Sequence, residues 1–174
     1  PIGIGVQGMS DLFQILRIPY DSNEAQQLNK NIFETIYYSA VSESIEEAKK
    51  FGTYESFKGS PSSKGILQFD MWHVTPSNRH NWTQTKLDLT TYGMRNSLLL
   101  APMPTASTAQ ILSNTESFEP RTSNLYTRRV LAGEYIVVNK YLQDHLLTLD
   151  LWNDKTVKNL IKDRGSLTNL EYIP

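Results

Sequence analysis

The sequence predicts an α/β fold, and three observations carry that expectation. A long helical period runs through residues 24–50, compact apolar runs stand at Ser97-Leu98-Leu99-Leu100-Ala101 and Tyr135-Ile136-Val137-Val138, and further helical periods lie on either side of these runs. Alternation of this kind points to parallel strands linked by helices. With 174 residues the chain suits a single core, since domains run to roughly 100–200 residues.

Each element has a local reason. The opening Ile2-Gly3-Ile4-Gly5-Val6-Gln7-Gly8 alternates apolar residues with glycine, which suits a buried strand or turn closely approached by other backbone. Gly3, Gly5 and Gly8 have the spacing of a dinucleotide fingerprint, but no strand precedes Gly3 in the sequence, so tight packing is the expected use. Ser10 or Asp11 is placed to cap a short helix carrying Leu12, Ile15 and Leu16. Asp21 with Glu24 forms a capping-box pattern, after which Ala25, Leu28, Ile32, Ile36 and Ala40 recur on one face, widened by Phe33, Tyr37 and Val41. At 1.5 Å per residue this helix is about 40 Å long, the right size to lie along a sheet or barrel. Residues 52–81 hold Gly59, Pro61, Gly65 and Pro76 and read as loop. Asn81 is a candidate cap for a helix through Tyr92 that stops at Gly93, and the buried strand at 97–101 follows. After the strand at 135–138 come helices near Tyr141 to Leu149 and Asp154 to Asp163, with Gly165 as a stop.

Composition removes several function classes. Hydrophobic residues are 39% and charged residues 20% of the chain, which favours a folded domain over disorder. Lys and Arg total 17 against 18 Asp and Glu, a net charge of −1 with no long basic stripe, so nucleic-acid binding is disfavoured. Cysteine is absent, which removes disulfides, thiolate metal sites and cysteine nucleophiles from these residues. No apolar run approaches the roughly 20 residues of a membrane span, and the start lacks a basic region followed by an apolar one; a cytoplasmic location is expected. The chain begins at Pro1 without Met, as a piece of a longer protein would.

The chemistry concentrates after the apolar run at 97–101. Ala101-Pro102-Met103-Pro104 makes a turn, and Thr105-Ala106-Ser107-Thr108 opens a short helix. The first amides of a helix have no intrahelical acceptor and sit at the positive end of the macrodipole, so an anion is favoured there. Three hydroxyl side chains stand beside those amides, two prolines stiffen the approach, and phosphate is the natural candidate. The alternative is that Thr105 or Ser107 caps the helix with its own hydroxyl and binds nothing. Location favours the anion, because ligands in α/β sheets and barrels sit at the carboxyl ends of parallel strands.

The run from Ala101 to Leu112, Ala-Pro-Met-Pro-Thr-Ala-Ser-Thr-Ala-Gln-Ile-Leu, resembles the substrate-phosphate loop of the large, catalytic subunit of eukaryotic-type class I ribonucleotide reductase. Blocks in the same order agree at Pro1 to Gly8, at Asn31 to Tyr38, at Gly59-Ser60-Pro61, at Lys64 to Trp72, at Arg95 to Leu99 and at Thr122 to Leu131, and agreement loosens after Lys140. The resemblance implies a segment, residues 1–174, of a ten-stranded α/β barrel that reduces ribonucleoside diphosphates to deoxyribonucleoside diphosphates for DNA synthesis. It implies that Thr105, Ala106, Ser107 and Thr108 hold the substrate diphosphate. It further implies a radical-generating small subunit, a dithiol reductant, nucleotide effectors such as ATP and a large-subunit homodimer for the whole enzyme, with no cofactor held by this segment. The thiyl-radical and redox cysteines of such an enzyme must lie elsewhere, because this sequence has none, so the segment alone is expected to be inactive. Arg121 stands where the family usually has Tyr after Glu119-Pro120, and Thr115 where Asn is usual; both put local packing in question more than phosphate binding.

Other candidates read as structural. His73, His80 and His145 lack metal-ligand spacing and are expected at the surface. Glu116 and Glu119 are spaced like an acid/base pair but are expected to be solvated. Arg128 and Arg129 are adjacent and must point to opposite sides, which rules out a joint anion clamp and leaves one of them to pair with a carboxylate. Two rival readings remain. One is a non-catalytic scaffold in which Thr105 to Thr108 is only a helix cap, and the other is a cobalamin-dependent or glycyl-radical barrel, against which the long agreement argues. A segment of a closed barrel would also leave strand edges and apolar faces uncovered.

Overall fold

The computed structural model describes residues 1–173. Helices α1 (Met9–Leu16) and α2 (Asn23–Phe51) come first, followed by a 3-10 turn (Ser62–Lys64), α3 (Gln68–Met71), α4 (Trp82–Tyr92) and α5 (Ala106–Ile111). Strands β1 (Leu125–Val130) and β2 (Gly133–Val138) then precede α6 (Lys140–Thr148) and α7 (Asp154–Lys162).

Helix α2 forms where its period predicts, but its cap is Ser22, whose hydroxyl accepts the Ala25 amide at 3.1 Å, and not Asp21 with Glu24. One residue decides this: Ser22 is the last extended residue, and only the side chain at that position reaches the third amide. Ala40, Val41, Ile45 and Ala48 line its buried face, while Glu46–Lys49 and Glu47–Lys50 pair along the exposed last turns. Small residues on that face let α4 pack close, and Leu67, Trp82, Leu89, Met94 and Leu99 complete the main core with Tyr37, Tyr38 and Phe69 against it. Asn81 caps α4 by accepting the Gln84 amide at 3.0 Å. The helix stops at Gly93, whose φ of 77° suits glycine and where any Cβ would overlap the Thr53 methyl group.

A second, smaller cluster joins Met9 and Phe13 of α1 to Ala25 of α2. Here the expected cap is absent. Left-handed Gly8 precedes α1 without a side-chain cap, Ser10 and Asp11 lie buried inside the first turn, and Ile15 and Leu16 are exposed. The helix turns its Met9 and Phe13 face toward Ala25, Leu28 and Ile32 of α2, while Ser10 and Asp11, off that face, reach polar partners at Thr115 and Arg121.

The strands depart from expectation in direction and burial. Among the described residues, parallel pairing is confined to the opening run: the Ile2 amide donates to Leu98 O at 2.9 Å, the Ile4 amide to Leu99 O at 2.8 Å, and the Ala101 amide to Ile4 O at 2.9 Å. Leu99 is buried, but Leu98, Ile2 and Ile4 are exposed, so neither run is a fully buried strand. Pairing β1 with β2 gives an antiparallel hairpin, Leu125 opposite Val138 and Val130 opposite Gly133, because only Leu131 and Ala132 separate the strands and a connection that short cannot cross over to a parallel partner. The hairpin exposes Leu131, Tyr135 and Ile136.

Accessible surface totals 11585 Å², against roughly 8,700 Å² for a compact protein of this mass. Large apolar side chains are among the exposed residues, as Ile15, Leu87, Leu98, Ile111, Leu112 and Leu147 illustrate. Among the described residues no helix is long and apolar enough to cross a membrane.

Candidate functional site

The turn expected to bind an anion sits where the opening run meets the segment after it. Gly5 is what lets the two backbones approach: a Cβ there would lie 3.2 Å from Ala101 O and 3.3 Å from the Cα of Pro102. Gly3 and Gly5 therefore serve packing against the turn, while Gly8 takes a left-handed φ of 79° beside the Asn114 side chain.

Thr105 precedes α5 and its side chain caps nothing within the helix. Its hydroxyl instead accepts the Ser117 amide at 2.8 Å, so the self-capping alternative is not realised at Thr105. The first intrahelical bond runs from the Ala109 amide to Thr105 O at 2.8 Å, which leaves the amides of Ala106, Ser107 and Thr108 ahead of the ladder and without an intrahelical acceptor. All three residues are exposed. The Thr108 hydroxyl donates to Gln7 Oε1 at 2.9 Å, and Gln7 Nε2 donates to Asn114 Oδ1 at 3.4 Å. Thr105, Ala106, Ser107 and Thr108 are thus brought together on one open turn with free donors, an arrangement able to hold a phosphate oxygen. Two concave regions of the surface lie elsewhere, one between α2 and α4 around Ser42 and Asp88, the other around Leu16 and Leu28.

Beneath the turn lies a polar layer that sequence patterning misses. Asp11 is 4% exposed; its carboxylate accepts the Thr115 amide and the Arg121 guanidinium, the latter at 3.2 Å. Burial alone pushes the Asp11 carboxyl up, but the Thr115 hydroxyl and amide beside it, the Arg121 charge and Tyr141 pull harder in the other direction, so it lies below the usual carboxylate range. The Thr115 hydroxyl is near this carboxylate yet out of hydrogen-bond geometry, and Ser117 Oγ and Arg121 Nε are likewise buried without partners. Ser10 Oγ accepts the Arg121 amide at 3.3 Å, and the Gly8 and Met9 amides donate to the carbonyls of Thr115 and Ser117. The only sequence signals for this layer are the polar Ser10-Asp11 pair inside an apolar run and the two unusual residues Thr115 and Arg121.

The remaining candidates separate. Arg129 pairs with Glu134 across the hairpin, while Arg128 turns to the Tyr126 hydroxyl at 3.2 Å. Glu116 and Glu119 meet only through their backbone. His80 departs from the surface expectation: it is half-buried, stacks on Tyr38 at 4.4 Å between ring centroids, and its Nε2 lies 3.1 Å from Thr35 Oγ1. Its place beside Trp82 at the start of α4 carries it inward.

The family model described as ribonucleotide reductase, barrel domain, matches residues 1–174. The chain is similar to the ribonucleoside-diphosphate reductase large subunit of Arabidopsis thaliana, 57% identical over 174 residues, and to that of vaccinia virus, 58% identical over 169 residues. These alignments take in 100% and 97% of the chain but 21% and 22% of the relatives, so the chain spans about a fifth of the length of the curated relatives it matches. Similarity therefore continues past Lys140, where the sequence blocks loosen. Among solved structures, the class Id ribonucleotide reductase alpha subunit of Actinobacillus ureae aligns with a TM-score of 0.68 and 27% identity, over 99% of this chain and 25% of that one. The mixture of helices and strands is that of a segment of an α/β barrel.

Proposed function

The chain belongs to the ribonucleotide reductase family, within its barrel domain, and from that premise we propose that residues 1–174 are one incomplete segment of a catalytic barrel, supplying the loop that binds the diphosphate of a ribonucleoside diphosphate substrate. The observation that carries this reading is the uncapped start of α5: Thr105 spends its hydroxyl on Ser117, so the amides of Ala106, Ser107 and Thr108 remain available to an anion. Each charge-assisted bond to phosphate contributes roughly 1.5–3 kcal/mol. Ser107 and Thr108 add hydroxyls that donate to further phosphate oxygens, and Thr108 does so by giving up Gln7. Pro102 and Pro104 hold the approach to the turn, so little backbone order is lost on binding.

Binding and orientation are the whole of this segment's part. The absence of cysteine assigns the radical and redox thiols to residues outside it. In the whole subunit a radical from the small subunit and a dithiol reductant supply the chemistry at the 2′ carbon, with nucleotide effectors acting elsewhere on a large-subunit dimer in the cytoplasm. The exposure of the turn fits a site whose other walls come from the rest of the barrel.

The test is Ala106→Pro in the full-length subunit. Proline is well tolerated at the first helical position, so α5 survives, but one donor is lost and Thr105 is pushed from its ψ of 38°. Cytidine diphosphate affinity is expected to fall at least about tenfold, one bond's worth, while binding of cytidine without phosphates is unchanged. Equal diphosphate affinity in variant and parent contradicts the proposal.

A further inference from the structure

We propose that Asp11 is a positioning residue for the diphosphate loop: by holding the 115–117 segment in place it keeps the Thr105 hydroxyl engaged, and so prevents α5 from capping itself in competition with the substrate. The inference rests on the reading that Thr105 to Thr108 bind the diphosphate.

The 115–117 segment is tied on both sides. Toward α1, the Thr115 amide donates to Asp11, and the Thr115 and Ser117 carbonyls accept the Gly8 and Met9 amides. Toward the loop, the Ser117 amide donates to Thr105 Oγ1. Ser117 holds a left-handed φ of 46°, a conformation that a non-glycine residue keeps only when its surroundings impose it. Arg121 fixes the other oxygen of Asp11, with its side chain 15% exposed. The same clamp leaves the hydroxyl of Ser117 and the Nε of Arg121 without partners, so the layer gives up hydrogen bonds of its own while the loop keeps its geometry.

Releasing Asp11 has a definite consequence. Without its hold on Thr115, Ser117 relaxes out of the left-handed region and its amide leaves Thr105. A free threonine hydroxyl immediately before a helix is a preferred acceptor for the second or third helical amide, here Ser107 or Thr108. Those are the donors the diphosphate needs, so self-capping and substrate binding become mutually exclusive.

The experiment uses the full-length subunit and cytidine diphosphate, measuring Kd by equilibrium binding and separating KM from kcat in turnover. Asp11→Asn keeps the shape, removes the charge, and is expected to raise Kd and KM about tenfold, the size of one charge-assisted bond, with kcat nearly unchanged. Arg121→Gln, milder because Asp11 stays, is expected to act in the same direction by a smaller factor, and it serves if Asp11→Asn does not fold. The decisive comparison is in a Thr105→Val background, which has no hydroxyl with which to self-cap: there either substitution is expected to add little further loss. A penalty equally large with valine at 105 means a general structural effect and overturns the proposal, as does unchanged affinity in both variants. If Ala106→Pro also leaves affinity unchanged, it is the diphosphate reading that fails; if Ala106→Pro weakens binding and the Asp11 and Arg121 variants do not, only the positioning role fails.

Discussion

Glu34 shows how one side chain on α2 fixes a distant loop. Its Oε1 accepts the Ser77 amide at 2.9 Å and the Trp82 indole at 3.0 Å, which ties the otherwise irregular 72–81 connection to the helix that the connection leads into. Trp82 is buried against Tyr37, Tyr38 and Phe69, so removing the carboxylate takes from its N–H the one protein acceptor it has among the described residues. Glu34→Ala is therefore expected to lower stability by about 1–3 kcal/mol, the cost of a stranded buried donor, read from the thermal midpoint of the subunit variant together with a shift in indole emission. A change under about 0.5 kcal/mol, ordinary for a surface substitution, would mean that the bond to Trp82 contributes little. The residues of the anion turn were legible at this scale because the hydroxyl-rich run after two prolines has a chemistry of its own. Asp11 and Gln7 were not, since their partners lie about a hundred positions along the chain and neither residue belongs to a recognisable motif.

At the level of elements, packing on α4 separates two leucines that the sequence treats alike. Leu89 is fully buried against α2, and Leu87 is 59% exposed. In the isolated chain Leu89→Ala is expected to cost about 2–5 kcal/mol, whereas Leu87→Ala stays within about 0.5 kcal/mol, both measured by urea unfolding. Any larger cost of Leu87→Ala in the whole subunit measures the cover that the rest of the barrel provides. Helices α2, α4, α6 and α7 are readable from their periods, and at α4 the termini agree as well, with Asn81 as the cap and Gly93 as the stop. Strand direction was not readable. The Leu131-Ala132 link lacks the Asn-Gly or Asp-Gly pair that marks a hairpin, and an apolar run such as 135–138 looks the same in a parallel sheet as in an exposed hairpin.

Across the whole molecule, carboxylates set the response to acid. Burial raises Asp11, Glu34 and Asp70, but the Thr115 contacts and Arg121 at the first, Ser77 and Trp82 at the second, and Lys86 and the Leu67 amide at the third outweigh it, so all three lie below their ordinary values. A carboxyl whose pKa is lower folded than unfolded contributes stability that is complete above the unfolded value, about 4, and is lost as pH falls through the folded one. The thermal midpoint is expected to hold between pH 7 and about 5 and to drop below about 4; a midpoint that rises on acidification would contradict these assignments. One further consequence concerns synthesis and time. Ile4 pairs with Leu100, so at roughly 5–20 residues per second the opening run leaves the ribosome some 5–20 s before its partner exists. Throughout that interval it is an unpaired edge available to any neighbouring strand. Gly3 and Gly5 make it a poor template for such pairing, so the glycines that later admit Ala101 and Pro102 also guard the nascent chain while it waits.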